Sequence, residues 1–443
     1  MKKMACLFMV TIMLFAALNV YAGGKTDSGG AAGKTVTVRV WGGVPAENGP
    51  QASVDLFNAL YKDRGIQAEY TRFVNDDNGN LQLETNLLAG DGVDVYITYS
   101  APTLRKRIDS NMAMDITSLI SRDSFDIAGF GDLGDDFMYN GRHYGLPSKF
   151  NVDDCIMINK SMFDAAGIPV PSKWTYSEFR EIAKKLTKGS GDSKVYGAFL
   201  NTPQFIGATM GFANSVLGGD SLYVQGGKAT NYNSPIIQEA VKLAYDMMNV
   251  DKSAPTHVDS VTQKLTQEGM FLSGKAAMTP GAWIVRNVKD TKNYPHDFVT
   301  AFAPYPVSDL QASPYSIGGA GDIICVNPKS KNTEAAWEYV KWYTTKGMVP
   351  MARGGRIPLY SGYNMDEVTA AFLEGGETVL DAPSLKAAYV SPRKNPAVQT
   401  ITDKAAELSA ITREELEAIY NGVKTVNQGL SDAKTRGDRI LSQ

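Results

Sequence analysis

The sequence predicts an α/β protein with at least two lobes. Segments with the two-residue periodicity of strands alternate with segments of helical periodicity along most of the chain. The 443 residues exceed what one hydrophobic core usually serves. Three cysteines are too few for a disulfide framework, so the 43% of hydrophobic residues must supply the packed cores.

The first 34 residues carry export signals. Two lysines precede an apolar run at residues 4–18, and small or modest side chains follow where signal peptidase cuts. We expect a signal peptide at residues 1–22, cleaved before Gly23, and a flexible leader at residues 23–34. Cys6 precedes the apolar run, so no lipid anchor is expected. No later run approaches the roughly 20 apolar residues of a spanning helix, which predicts a soluble protein outside the cytoplasm.

Strand and helix patterns alternate at the start of the expected fold. Residues 35–41, 66–73 and 93–99 are rich in β-forming side chains, whereas residues 52–61 and 81–89 repeat apolar side chains at helical spacing. Alternation of this kind predicts a mostly parallel sheet covered by helices.

The same pattern continues in the rest of the chain. Thr175 and Glu178 have the spacing of a capping box and predict a helix start. Ser234 and Pro235 predict another. The expected buried stripe of that helix is Ile237, Val241, Ala244 and Met248. The remaining expected elements are strands at residues 154–159 and 322–327, a helix capped by Asn332 or Thr333, and helices from residue 402 onward.

Charge and motifs exclude several function classes. A formal net charge of -3 gives no bulk attraction to nucleic acid or anionic lipid. His143, His257 and His296 are scattered, and no nucleophile elbow, phosphate loop or dinucleotide fingerprint is present. We therefore expect no catalytic residue, no metal and no cofactor. Cys155 and Cys325 either form a disulfide or remain buried thiols, and the sequence leaves both states open.

Three adjacent aspartate pairs raise the alternative of a glycosidase, which needs two carboxyl groups flanking one bond. The pairs are Asp76 with Asp77, Asp135 with Asp136, and Asp153 with Asp154. Neighbouring residues on a strand point to opposite faces, so one pair cannot flank a bond. An exported glycosidase therefore remains a remote alternative, through carboxylates distant in sequence.

Aromatic residues near predicted strand ends are candidate ligand contacts, because carbohydrate sites combine rings with polar side chains. Trp41, Tyr99 and Trp283 have this position. A tryptophan there also suits a hydrophobic core. Glycines beside Trp41 and Trp283 favour exposed loops for these two.

Three longer motifs carry a resemblance to a known family. They are YGLPSKFNVDDCIMINK at residues 144–160, FLSGKAAMTPGAW at residues 271–283 and GGAGDIICVNPKSKNTEAAW at residues 318–337. In this order they resemble the family 1 extracellular solute-binding proteins of ABC importers, of the maltose-binding type.

The resemblance implies a periplasmic-binding-protein type II fold, with two α/β lobes joined by a multi-strand hinge and a ligand cleft between them. It implies that the N-terminal lobe comprises residues 35–150 and about 327–360. The C-terminal lobe would then comprise residues 151–326 and about 361–443. The chain is expected to cross between lobes near residues 151–155 and 322–326, and again after Ile357.

The resemblance also places the ligand-binding residues, on the first binding loop, at the end of the third strand, beside the crossings and on the Gly-rich loop. The expected residues are Trp41, Gly42, Tyr99, Ser100, Asn151, Asp153, Trp283, Gly318, Gly319, Asp322, Arg356 and Arg393.

The function implied by the resemblance is periplasmic capture of a mono-, di- or short oligosaccharide by a monomer, which passes it to the permease subunits of an ABC importer. Binding of a polyol, a polyamine or a phosphorylated polyol is the alternative. An acidic cleft would favour the amine, whereas convergent Arg or Lys side chains would favour the phosphate.

Overall fold

The structure is a computed structural model that describes residues 35–90, 92–150, 155–200, 214–217, 222–224, 227–281, 284–311, 319–390 and 404–443. The expected signal peptide and leader lie outside these residues. The strands of the described part are β1 (Val36–Gly42), β2 (Ile66–Arg72), β3 (Val95–Thr98), β4 (Leu146–Phe150), β5 (Cys155–Asn159), β6 (Tyr196–Ala198), β7 (Tyr223–Val224), β8 (Ala229–Thr230), β9 (Ala276–Pro280), β10 (Thr300–Pro304), β11 (Ala320–Val326) and β12 (Ile357–Pro358).

The α-helices of the described part are α1 (Pro50–Tyr61), α2 (Asp77–Ala89), α3 (Ala101–Asp109), α4 (Thr117–Arg122), α5 (Lys160–Ala165), α6 (Tyr176–Leu186), α7 (Asn214–Leu217), α8 (Pro235–Tyr245), α9 (His257–Thr262), α10 (Gln267–Leu272), α11 (Val285–Lys289), α12 (Thr333–Thr345), α13 (Met365–Leu373), α14 (Ala382–Leu385), α15 (Ala405–Tyr420) and α16 (Val426–Leu441). Two short helical turns also position the site, Ala46–Asn48 and Val349–Gly354.

The strands form two larger sheets and a β7–β8 hairpin. The six-stranded sheet has the order β12-β4-β11-β3-β1-β2, and the four-stranded sheet has the order β10-β5-β9-β6. In the first sheet β1 pairs parallel with β2 and β3, whereas β11 pairs antiparallel with β3 and β4. The expectation of a mostly parallel sheet therefore holds for β1 to β3. It fails at β11, which follows the second sheet's strands in the chain and runs back against β3 and β4.

Strand alternation covers both faces of the first sheet with apolar side chains. Val40 and Ile97 belong to one core cluster, while their neighbours Trp41 and Tyr96 belong to another. Helices α1 and α12 pack in the first of these clusters, for example through Phe57. Two buried faces fix the register, because a one-residue slip would exchange the two sets of side chains.

The second sheet has its own core cluster, which helices α6, α8, α15 and α16 cover. The capping box of α6 forms as predicted, with Thr175 and Glu178 each bonded to the other's backbone. The predicted stripe on and just after α8, from Ile237 to Met248, is buried. Asn332 precedes α12 but makes no side-chain cap, and its amide N–H group donates to the carbonyl of Thr37 and the carboxylate of Asp94.

The cysteines are buried in different core clusters, Cys155 in that of α1 and Cys325 in that of Trp41. No disulfide joins them. Burial raises the pKa of the Cys325 thiol to about 12, which keeps it protonated and unreactive.

Candidate functional site

The loop after β1, predicted as the first binding loop, is held by two tyrosine hydroxyls. Tyr70 donates to the carbonyl of Val44 at 2.6 Å, and the hydroxyl of Tyr99 accepts from the backbone of Gly43 at 2.5 Å. A Cβ on Gly42 would lie 2.8 Å from the Tyr70 hydroxyl, so this close approach requires glycine. The loop is therefore fixed before any solute arrives.

Trp41 points away from this loop into the protein. Its side chain is 9% exposed and packs in the core cluster of Phe73, Leu83 and Leu87. The indole N–H donates to the carbonyl of Gly92 at 2.9 Å. This burial favours the core interpretation of Trp41, and its contact with a solute stays a prediction.

Asp322 lies at the meeting point of three neighbouring strands. Its carboxylate accepts a hydrogen bond from Nε of Arg356 at 2.8 Å, and Nζ of Lys149 lies 3.4 Å from its other oxygen. Lys149 is on β4, Asp322 on β11 and Arg356 directly before β12. Burial alone would raise the pKa of Asp322, but the two cations hold it below its ordinary value.

The backbone of Asp322 has a φ of 48°, in the left-handed region that non-glycine residues seldom adopt. Ser148 supports this conformation by donating to the Asp322 carbonyl at 2.7 Å. Tyr99 lies near the same carboxylate. Burial raises the pKa of Tyr99, and the negative charge of Asp322 raises it further. Three of the predicted site residues, Tyr99, Asp322 and Arg356, thus lie close together, and their contact with a solute stays a prediction.

The other predicted site residues have different surroundings. Ser100 is exposed and caps α3 by accepting from the backbone of Thr103. Gly319 is half-buried, and among the described residues no atom lies within 4 Å of a Cβ built on it, so their packing does not require glycine there. Five predicted site residues lie outside the described part of the chain, and their roles stay predictions. They are Asn151, Asp153, Trp283, Gly318 and Arg393.

A cavity of about 610 Å³ is lined in part by segments that follow strands of the two larger sheets. Its wall is formed by residues 47–48, 286–287, 289–290, 293–294, 353 and 374–375. Residues 47–48 follow β1 of the first sheet, and α11 follows β9 of the second. The ends of strands from two α/β sheets are where such folds bind ligands, and the volume suits a small molecule.

Most charged groups of the cavity wall have partners. Arg353 pairs with Glu374, and Asp290 accepts from the backbone and side chain of Asn293. Lys289 donates to the carbonyls of Arg353 and Phe372. Burial, with help from the nearby Arg353, lowers the pKa of Lys289 to about 8.

Arg286 is the cation of this wall that lacks such a partner in the described part of the chain, and Glu47 is the corresponding carboxylate. Arg286 is half-buried, and among the described residues no side chain or carbonyl pairs with its guanidinium. Burial lowers its pKa, and the positive charges of Arg356 and Arg72 lower it further. Arg286 was not predicted as a site residue, because an isolated arginine carries no local signal in the sequence. Its position three residues after the predicted cleft residue Trp283 was the available clue.

The described residues contain no group of three or more His, Cys, Asp or Glu side chains arranged to hold a metal ion. In the same part of the chain, no helix combines the length and apolar character that crossing a membrane requires.

Comparisons with known proteins agree with this architecture. The family model described as "Bacterial extracellular solute-binding protein" matches residues 45–350. A maltotriose-binding protein of Pyrococcus abyssi is 27% identical over 269 residues, which are 59% of this chain and 53% of that protein. The match thus spans about half the length of this curated relative.

Solved structures show the fold. A sugar transporter protein from Rhizobium etli, in an open conformation, has a TM-score of 0.71 at 20% identity, covering 91% of this chain and 99% of that one. An ABC substrate-binding protein from Listeria monocytogenes, in complex with cycloalternan, has a TM-score of 0.68 at 21% identity, covering 92% and 99%. The predicted type II fold with two α/β lobes is confirmed, while the exact lobe boundaries stay predictions.

Proposed function

Because the chain belongs to the bacterial extracellular solute-binding proteins, we propose that it captures a carbohydrate outside the cytoplasm and delivers it to the permease subunits of an ABC importer. The observation that carries this proposal is the cavity of about 610 Å³ between the loop after β1 and helix α11. That volume suits a mono-, di- or short oligosaccharide. The relatives named above as binding maltotriose and cycloalternan support the carbohydrate class.

The protein on this proposal is a monomer that works in the periplasm after loss of its signal peptide, without a cofactor. Binding without catalysis is supported by the cavity's carboxylates. Glu374 is engaged by Arg353 and Asp290 by Asn293, which leaves Glu47 as the one described wall carboxylate without such a partner. A glycosidase would need two carboxyl groups acting on one bond.

Ligand capture would work through closure of the two lobes. Residues of the first sheet's loops and of α11 line the same cavity, so a solute there contacts both sides. A solute that makes more contacts in the closed form shifts the population toward that form. The importer can then distinguish loaded from empty protein by its conformation.

A thermal-shift screen of the exported chain tests the proposal. The panel contains neutral sugars, sugar acids, polyols, polyamines and phosphorylated polyols. A ligand at 100 times its Kd stabilises the folded state by about 2.7 kcal/mol, which raises Tm measurably. We expect sugars or sugar derivatives to raise Tm and to be recovered chemically unchanged. Stabilisation by polyamines alone would contradict the carbohydrate assignment, and recovery of hydrolysed sugar would contradict the absence of catalysis.

A further inference from the structure

Arg286 is a cation in the cavity wall whose charge the described residues do not balance. Its guanidinium is half-buried on α11, with five N–H donors and no acceptor among the described residues. A charge removed from water without a partner is costly, so such a group is retained where a ligand completes it.

The surroundings of Arg286 are positively charged rather than neutral. Arg72 and Arg356 both disfavour its charge, and Glu268 is the carboxylate that favours it. Arg356 is already bound to Asp322, and the same carboxylate also holds Lys149. Among the groups linked to Arg286 directly or through Arg356, the four cations Arg72, Lys149, Arg286 and Arg356 outnumber the two carboxylates Asp322 and Glu268 by two.

The carboxylates of the cavity wall do not remove this excess. The charge of Glu374 is matched by that of Arg353, and the charge of Asp290 is matched in the count by that of Lys289 in the same wall. Glu47 is exposed to solvent, and counting it in full still leaves one positive charge without a counter-charge. A neutral sugar would accept hydrogen bonds from Arg286 but would leave the repulsion among the guanidiniums in place.

The planar guanidinium matches one class of ligand group in geometry and charge. Its parallel N–H donors bind a carboxylate or a phosphate through two hydrogen bonds, which are stronger than bonds to a neutral acceptor. A polyamine has the wrong sign for this cavity.

We infer that the solute is a carbohydrate carrying an anionic group, a carboxylate or a phosphate, which Arg286 binds in the cavity between the loop after β1 and α11. This inference rests on the proposed function and narrows its substrate class. The exposed Glu47 and the neighbouring Asn48 are then available to the hydroxyl groups of the same solute.

Calorimetric titration with matched ligands tests the inference. The ligands are D-glucose, D-glucuronate and D-glucose 6-phosphate, together with galactobiose and digalacturonate. The proteins are the wild type, Arg286→Gln, Arg286→Lys and the control Arg413→Gln, which changes an exposed arginine of α15 remote in sequence from the cavity wall. Thermal unfolding without ligand checks that each variant folds.

We expect an anionic ligand to bind the wild type at least about 10-fold more tightly than its neutral counterpart, with affinity falling as salt rises. Arg286→Gln should abolish this preference, Arg286→Lys should retain part of it, and Arg413→Gln should retain all of it. Preference for glucuronate or digalacturonate identifies a carboxylate, whereas preference for glucose 6-phosphate identifies a phosphate.

Three outcomes would overturn the inference. Equal or tighter binding of the neutral sugars, or equal weakening of neutral and anionic ligands by Arg286→Gln, would refute the anionic group and leave the carbohydrate function standing. Binding of none of the five ligands would overturn the inference together with the proposed carbohydrate function. If Arg286→Gln does not fold, two measurements still test the inference. They are the preference of the wild type for anionic over neutral ligands and the reduction of that preference in Arg286→Lys.

Discussion

Asp136 makes the stability of the protein depend on pH in a way that one substitution can isolate. The side chain is half-buried, one of its oxygens has no hydrogen-bond partner among the described residues, and its carboxyl accepts from the backbone of Ala320. Burial raises the pKa of Asp136 to about 7, although the Ala320 bond opposes this, and the nearby charge of Asp135 adds to it.

The sign of the effect follows from the two protonation equilibria. The folded state keeps the proton up to about pH 7, whereas the unfolded state releases it near the ordinary value of 3.8. Burial of Asp136 therefore does not lower the unfolding free energy below about pH 4. The unfolding free energy falls as the pH rises through the pKa of Asp136 in the folded state. Above that pKa the unfolding free energy is lower by about 4 kcal/mol, because the pKa differs by about three units between the two states and each unit corresponds to about 1.4 kcal/mol.

Asp136→Asn removes this titration while keeping an oxygen that can accept from Ala320. Between about pH 5 and about pH 8 the wild type should lose about 2.5 kcal/mol of unfolding free energy relative to the variant. Burying the asparagine amide changes the unfolding free energy of the variant by the same amount at every pH, so this cost cancels when the two pH values are compared. Urea unfolding at each pH measures it, with the exposed Asp132→Asn as matched control.

The wild type and Asp132→Asn should give parallel pH profiles of unfolding free energy, because the exposed side chain of Asp132 lacks the burial that acts on Asp136. The reasoning would be refuted by a wild-type profile that also runs parallel to that of Asp136→Asn over this range.

Three further substitutions test the site. Asp322→Asn should lower the unfolding free energy by about 3 to 5 kcal/mol, because Lys149 and Arg356 lose their shared anion. Asparagine still tolerates the positive φ, so the backbone adds little to this loss. Urea unfolding measures the change, and a loss below about 1 kcal/mol would contradict the ion cluster. Gly319→Ala should change stability by less than about 0.5 kcal/mol but weaken ligand affinity in titration, since no described residue occupies the space beside Gly319 and the predicted site lies there. Unchanged affinity would remove Gly319 from the site. Trp283→Ala should weaken binding by about 1 to 3 kcal/mol with the fold intact, and unchanged affinity in a folded variant would contradict stacking there.

Local signals in the sequence predicted local structure well. The capping box of Thr175 and Glu178 depends on residues three positions apart, and it forms as expected. The strand and helix patterns up to residue 99 likewise became β1 to β3 with their helices. The antiparallel direction of β11 was missed, because strand direction depends on which sheet the preceding chain comes from and leaves no mark on the pattern of side chains.

The candidate site was predictable only in part, for the same reason. The glycines after Trp41 suggested an exposed loop, but hydroxyls from Tyr70 and Tyr99 on other strands hold that loop while the indole packs inside. Arg286 has no local signature at all. Its importance arises from burial and from two other guanidiniums that are far away in sequence.

The charges of the site connect the proposed ligand contact with strands β11 and β12. Arg356, bound to Asp322 beside β12, is one of the cations that repel Arg286 on α11. If the proposed closure of the lobes brings the two guanidiniums together, their repulsion would oppose closure of the empty protein. An anionic group bound by Arg286 would cancel the repulsion between the two guanidiniums and would itself be attracted to Arg356. The anionic group would therefore contribute most to binding in the closed form. Such a difference in affinity between two forms is the property a solute needs to shift their populations. The anionic group would on this reasoning serve recognition and closure together, and Arg286→Gln should then ease closure of the empty protein while removing the solute's power to favour it.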